Sequence, residues 1–299
     1  MPAKPPAEFP REIMQLFDKY VHGDIDRRGF LEGAGKFAVG GLSAAAYLSA
    51  LSPDFANAQQ IRPNDARLWT ESIRIPSPNG SGTINAYLAR PRNIRFLRKL
   101  PVIIVVHENR GLNPHIKDIA RRIALENYIA IAPDALTALG GYPGDEDTAR
   151  ARFATLDQNK IKQDFIAAAR FSRVTEHANN KLGAIGFCYG GGMVNYLAAQ
   201  CDFLNAAVPF YGAAAPLDGV ANIRAKLLLH FASDDERFNA MWPPYEAALR
   251  AANKPYQAFT YDGTMHGFNN DTTPRYNQAA ATLAWQRTIA FFNQELKSH

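Results

Sequence analysis

The chain has 299 residues, 47% of them hydrophobic, and a formal net charge of +5, which suits one large folded domain and excludes a fibrous or disordered chain. Lys and Arg are interspersed with Asp and Glu rather than gathered into dense basic runs, so nucleic acid is not an expected partner. Two cysteines, Cys188 and Cys201, are too few for a disulfide framework, and outside the N-terminal region no strongly apolar run of membrane-spanning length occurs.

Residues 27–31 read Arg27-Arg28-Gly29-Phe30-Leu31, followed by a weakly apolar, Gly- and Ala-rich run from Ala34 to Leu51 and by Ala56-Asn57-Ala58. That order of parts predicts a twin-arginine export signal over 1–58, with an unusually long stretch before the arginine pair and cleavage after Ala58. An amphipathic helix with an ordinary Arg pair is the plainer alternative. The twin-arginine machinery carries proteins already folded, so a periplasmic or secreted mature chain without a membrane span is expected.

From Trp69 onward short β-branched or aromatic runs alternate with longer helical stretches, the pattern of a mostly parallel sheet covered on both faces. Eight strands are predicted, near 69–75, 83–89, 102–106, 128–132, 182–186, 206–210, 227–231 and 258–261. Pro76-Ser77-Pro78-Asn79-Gly80 favours a reversal between the first two, hence a leading antiparallel hairpin. Helices are predicted over roughly 115–126, 145–155, 160–176, 190–200, 241–252 and 275–296. The expectation is a single α/β domain over 59–299.

Gly186-Phe187-Cys188-Tyr189-Gly190 follows an apolar strand and precedes a helix-compatible run, the setting of a nucleophile elbow with Cys where Ser is usual. Gly186 and Gly190 supply the missing Cβ atoms that let strand and helix approach, and Gly191 and Gly192 extend the clearance. A helix starting just after Cys188 would favour its thiolate. The bland alternative is a buried Cys in a Gly-rich turn. Cys201, farther along the same helix without a glycine frame, reads as a packing residue.

An α/β-hydrolase fold places its acid after a later strand and its His after the last one. Here His230-Phe231-Ala232-Ser233-Asp234-Asp235-Glu236-Arg237 ends one strand and Met265-His266-Gly267-Phe268 follows the last. His266 is the candidate base. His22 falls in the leader and His299 at the terminus, His115 and His177 are placed on helix surfaces, and His107 and His230 sit at strand ends as core histidines. Asp234 and Asp235 are adjacent, and the residues alone hardly separate them.

These motifs, with His107-Glu108-Asn109-Arg110-Gly111 after the third strand, resemble the dienelactone hydrolase family, and more closely its twin-arginine-exported branch, over about residues 65–297. The resemblance implies an eight-stranded, mostly parallel sheet with helices on both faces, and a triad of Cys188, Asp235 and His266, with Asp235 rather than Asp234 as the acid. It implies that Glu108 contacts the resting thiol, and that the backbone N–H groups of Asn109 and Tyr189 form the oxyanion hole. Without it, the role of Glu108 stays open, with a surface salt bridge to Arg110 as the plainer alternative. The family's archetype holds a substrate carboxylate with two arginines. The one expected four residues after the catalytic His is Asn270 here, which leaves Arg110, Arg150 or Arg152 as candidates, the last two otherwise surface helix charges.

The implied activity is carboxymethylenebutenolidase-like cleavage of a small-molecule ester or lactone through a thioester, without a cofactor. No His, Asp or Glu cluster has zinc spacing, so no metal is expected. A general carboxylesterase or thioesterase acting on extracytoplasmic acyl groups is the first alternative, and a non-catalytic binding protein retaining the fold is the second.

Overall fold

The computed structural model describes residues 9–37, 43–94 and 99–297. Part of the predicted apolar run, residues 38–42, and His299 therefore lie outside the described residues.

The N-terminal region folds into helices. Ile13, Met14, Phe17 and Tyr20 recur at helical spacing and give α1 (Arg11–His22) one apolar face. Gly23, in the left-handed region at φ 85°, ends it. Asp26 caps α2 (Arg27–Gly35) by accepting the Gly29 N–H at 2.7 Å, and Ser43 caps α3 (Ala44–Leu51) in the same way. A single turn, α4 (Phe55–Ala58), follows. The first three helices bury Ile13, Met14, Phe17, Phe30, Tyr47 and Leu51 among themselves in a small core separate from those of the sheet.

The sheet begins with β1 (Leu68–Ser77) and β2 (Gly82–Pro91), the expected antiparallel hairpin. Then come β3 (Leu100–Val106), α5 (Pro114–Leu125), β4 (Ile129–Pro133), α6 (Glu146–Ala154), α7 (Gln158–Val174), β5 (Ala178–Phe187) and α8 (Tyr189–Gln200). They are followed by β6 (Ala206–Phe210), β7 (Lys226–Asp234), α9 (Glu236–Asn239), α10 (Trp242–Ala251), β8 (Tyr256–Met265) and α11 (Gln278–Phe292). The eight strands lie in the order β1-β2-β4-β3-β5-β6-β7-β8, with β3 to β8 parallel.

Successive side chains of a strand point to opposite faces, and β3 shows the consequence. Val102, Ile104 and Val106 join the core on the α7 and α8 side, whereas Ile103 and Val105 join the core on the α5 and α11 side. Each face of the sheet thus owns one continuous core, as a doubly covered parallel sheet requires. Among the described residues no helix is long and apolar enough to cross a membrane.

The strands that matter for chemistry are longer than predicted. β5 runs through Phe187, β7 to Asp234 and β8 to Met265. A register shift in the β7–β8 pairing after Ala232 turns the ends of both strands, and it sets Asp235 and His266 together at the carboxyl edge.

Candidate functional site

Cys188 joins β5 to α8 with φ 55° and ψ −115°, a conformation that an L residue rarely adopts. The surrounding glycines show why the turn tolerates it. A Cβ on Gly186 would stand 2.2 Å from the Gly190 carbonyl oxygen, one on Gly190 2.3 Å from that of Val106, and one on Gly191 2.5 Å from that of Phe210. Only a frame without side chains lets α8 start this close to β3, β5 and β6. The Cys188 N–H is spent on the Phe210 carbonyl at 3.1 Å. Tyr189 opens α8, where its N–H has no acceptor within the helix, and Asn109 lies in the turn after β3.

His266 Nδ1 lies 2.7 Å from Asp235 Oδ2, with both side chains buried. The imidazole is held between Phe238, whose ring stacks on it at 5.0 Å, and Tyr211 at 4.9 Å. Asp234, one residue earlier, faces outward and receives Arg11 at 3.3 Å. The two aspartates thus differ in direction: one points into the site and the other away from it.

The residue that completes the cluster is one that sequence reasoning set aside. His22, the last residue of α1, places Nε2 3.7 Å from Cys188 Sγ and 3.2 Å from His266 Nε2. Its Nδ1 donates to the Asp18 carbonyl at 2.8 Å and faces the Asp18 carboxylate at 3.3 Å. Asp18 in turn pairs with Arg275 at 3.2 Å. Two carboxylate-backed imidazoles thus converge on one thiol from opposite ends of the chain. The only sequence trace of this was the spacing of Asp18 and His22, one helical turn apart, in a segment read as a leader.

Glu108 differs from expectation. It lies in the same cavity as Cys188, but Oε2 accepts the Asn270 amide at 3.0 Å, and the place beside the sulfur is taken by His22. Asn270 therefore has a local task, holding that carboxylate. Arg110 is buried, 3.4 Å from Glu146, and donates to the Val21 carbonyl at 3.2 Å. Arg150 donates to the Tyr20 carbonyl and lies over the Tyr20 ring at 3.9 Å. Arg152 is turned out of the site and donates to the Leu139 carbonyl at 3.1 Å, so it does not serve as a substrate contact. Arg275, which the sequence did not single out, lines the cavity instead.

The other histidines among the described residues are structural. His107 hydrogen-bonds the Glu108 carbonyl through Nδ1 and accepts the Ala135 N–H, and His230 sits between Tyr261 and Thr288. His115, expected on a helix surface, is buried against Asp271 at 3.2 Å because α5 turns that face inward. His177 lies in the turn between α7 and β5 at φ 65° rather than on a helix.

Charge in the cluster is strongly coupled. Burial alone would raise the Cys188 thiol, but the imidazoles of His266 and His22 outweigh it and bring the pKa down to about 6. Burial alone would lower His266; the Cys188 charge and Asp235 raise it to about 9. His22 is likewise raised, against its burial, to about 10 by Asp18 and Cys188. Near neutral pH the site holds a thiolate among imidazolium groups, an arrangement that makes sulfur nucleophilic. Cys201, with no such partner, is pushed up to about 11 by burial.

Two cavities meet at Cys188. One of about 60 Å³ carries the charged groups, lined by Glu108, Arg110, Asn270 and Arg275, with Phe17, Tyr20 and Val21 closing it from α1. The other, of about 740 Å³, is more apolar and runs past Phe153, Met193, Tyr196, Ala213 and Phe238. The second is large enough for a drug-sized molecule.

The Dienelactone hydrolase family model matches residues 84–296, and a second, YqhI-like, matches residues 1–38. A hydrolase fragment of Escherichia coli, provisionally named YghX, is 47% identical over 109 residues, 36% of this chain and 92% of its own. A protein of the same organism provisionally named carboxymethylenebutenolidase is 32% identical over 232 residues, 73% of this chain and 84% of its own. Among solved structures, a provisionally named dienelactone hydrolase from Klebsiella pneumoniae superimposes with a TM-score of 0.66 and 29% identity, covering 76% of this chain and 99% of that one.

Proposed function

Since the chain belongs to the dienelactone hydrolase family, we propose that it cleaves an ester or lactone through a Cys188, His266, Asp235 triad and a thioester intermediate. The observation that carries the reading is the buried 2.7 Å contact of His266 Nδ1 with Asp235, with the His266 Nε2 side turned to the Cys188 cluster. In this mechanism the Cys188 thiolate attacks the carbonyl carbon, and the backbone N–H groups of Asn109 and Tyr189 receive the oxyanion. The tetrahedral intermediate collapses to a thioester, and His266 gives its proton to the departing alkoxide. His266 then takes a proton from water as that water attacks the thioester, and Asp235 fixes the ring and stabilises the imidazolium.

The apolar 740 Å³ cavity favours an acyl or aryl group on the substrate. With Asn in place of arginine at position 270, and with Arg150 and Arg275 both engaged by α1, the full chain is suited to neutral esters or thioesters over a carboxylated lactone. The test is a panel of dienelactone, aryl esters and thioesters presented to chelator-treated full-length protein. Turnover of the neutral esters is expected, with kcat/KM rising through about pH 6 as Cys188 ionises and falling through about pH 9 as His266 loses its proton. Absence of turnover across the panel would favour a binding protein retaining the fold.

The same proposal includes export by the twin-arginine machinery to the periplasm or cell exterior. The Arg27-Arg28 pair supports it, since both side chains are largely exposed although Arg27 also meets Asp147 at 3.0 Å. Replacing both arginines by lysine should trap the protein in the cytoplasm when its distribution is followed by cell fractionation. Equal distribution of parent and variant would remove this part of the reading.

A further inference from the structure

The contact between His22 and His266 poses a problem of charge. In each ring Nδ1 faces acceptors alone: the Asp235 carboxylate for His266, and the Asp18 carbonyl and carboxylate for His22. Both Nδ1 atoms therefore carry hydrogen, and in the neutral rings both Nε2 atoms present lone pairs. Those lone pairs lie 3.2 Å apart with a sulfur 3.7 Å from one of them. Three electron-rich atoms this close repel one another unless a positive charge lies among them, and either the protons of the imidazolium rings or a metal ion can supply it.

Among the described residues the three atoms form one cluster with every separation within 4.8 Å. Around a tetrahedral zinc ion, with nitrogen at roughly 2.0 Å and sulfur at roughly 2.3 Å, adjacent nitrogens stand roughly 3.3 Å apart and sulfur roughly 3.6 Å from nitrogen. Two edges already have that size, and the third, between Cys188 and His266, lies within 4.8 Å. The outer shell is also in place, since metal-bound imidazoles almost always donate their far N–H to a carboxylate or carbonyl. The three residues line the 60 Å³ cavity, which has room for an ion and a few waters.

We infer that His22, Cys188 and His266 form a three-ligand site for a divalent transition ion of the zinc type, with the fourth position open to water. Binding replaces the protons that the cluster otherwise holds: the sulfur coordinates as thiolate, both imidazoles coordinate as neutral rings, and the protons leave to solvent. The sequence expectation of no metal rested on local spacing, and no local spacing links position 22 to positions 188 and 266. The site stands on geometry alone. Its consequence, that the ion silences the nucleophile, rests on the proposed hydrolase reading.

The experiment uses full-length protein, stripped with a chelator under reducing conditions and titrated with Co²⁺ as a spectroscopic stand-in for Zn²⁺. One equivalent per chain is expected, with a thiolate-to-metal charge-transfer band that Cys188→Ala abolishes. His22→Ala should weaken binding at least 100-fold, and Asp18→Asn, which removes an outer partner only, by roughly 10- to 100-fold. If His22→Ala does not fold, His22→Cys retains a ligand and should keep the ion with a stronger band. Failure to bind stoichiometrically, or an unchanged band in His22→Ala, overturns the site and leaves a proton as the shared cation. Ester turnover by the stripped protein is scored separately: turnover without metal uptake sinks the site alone, and uptake without turnover sinks the hydrolase reading alone.

Discussion

Cys188→Ala is expected to reduce kcat/KM for the best ester substrate by at least about 10⁴-fold, or about 5.5 kcal/mol of transition-state stabilisation. The size follows from what the residue supplies. Its sulfur is the atom on the strained elbow, at φ 55°, and its pKa is brought to about 6 by the two imidazoles, so the nucleophile is charged before substrate arrives. Alanine removes the bond-forming atom but leaves the glycine frame and the Tyr189 N–H in place, so folding should be nearly unaffected and thermal unfolding should confirm this. Cys188→Ser offers a graded comparison. The hydroxyl must give up its proton during attack rather than before it, yet His266 and Asp235 remain, and a Ser-His-Asp set is competent on this fold. A loss of roughly 10²- to 10³-fold is expected. Mild alkylation should label Cys188 and spare Cys201, whose thiol is held near 11. Full activity in the alanine variant would mean that chemistry happens elsewhere or that this cavity only binds.

Legibility in the sequence followed distance along the chain. Strands such as 102–106 and 206–210 were readable because a buried parallel strand is a short apolar run, and β6 has the predicted bounds. The elbow was readable because five consecutive residues carry it. Asp235 could be separated from Asp234 only by resemblance, because the difference is the direction imposed by the β7–β8 register shift, which no local pattern records. His22 was invisible for a stronger reason. It reaches the thiol through a fold spanning 166 positions, and the segment bearing it has the composition of an export signal. The two readings share a physical cause, since a weakly apolar Ala- and Gly-rich run following an Arg pair is also a sequence that forms short helices once it has something to pack against.

A chain beginning at Gln59 is expected to hydrolyse esters at least tenfold faster, in kcat/KM, than the chelator-treated full-length protein, and the reason lies in how the N-terminal helices are docked. Their apolar residues are spent mainly on one another, in a small core against which Met265 also packs. Much of the attachment to the catalytic domain is polar: Arg275 to Asp18, Asn109 and Arg110 to the Val21 carbonyl, Arg150 to the Tyr20 carbonyl, Arg11 to Asp234 and Arg237 to Asp24. The exposed pairs among these, Arg11 with Asp234 and Arg237 with Asp24, contribute little each and weaken with salt. A segment with its own core and a largely polar interface can leave as a unit. In place, it fills the site: an imidazole sits on the thiol, and the Asp18 carboxylate pairs with Arg275 in the same cavity. Removal should therefore have two further effects. Freed Arg150 and Arg275 should raise the preference for dienelactone over a neutral ester, and loss of the His22 charge should move the acidic limb of the pH profile upward from about 6. Full-length protein should approach the shortened form as salt rises. A slower shortened form would instead make His22 a working part of the catalyst, and equal rates at low salt would mean that the helices stand away from the thiol in solution. If cleavage after Ala58 accompanies export, the same cut that completes transport removes the imidazole from the nucleophile, and the thiol becomes available only where its substrate is met.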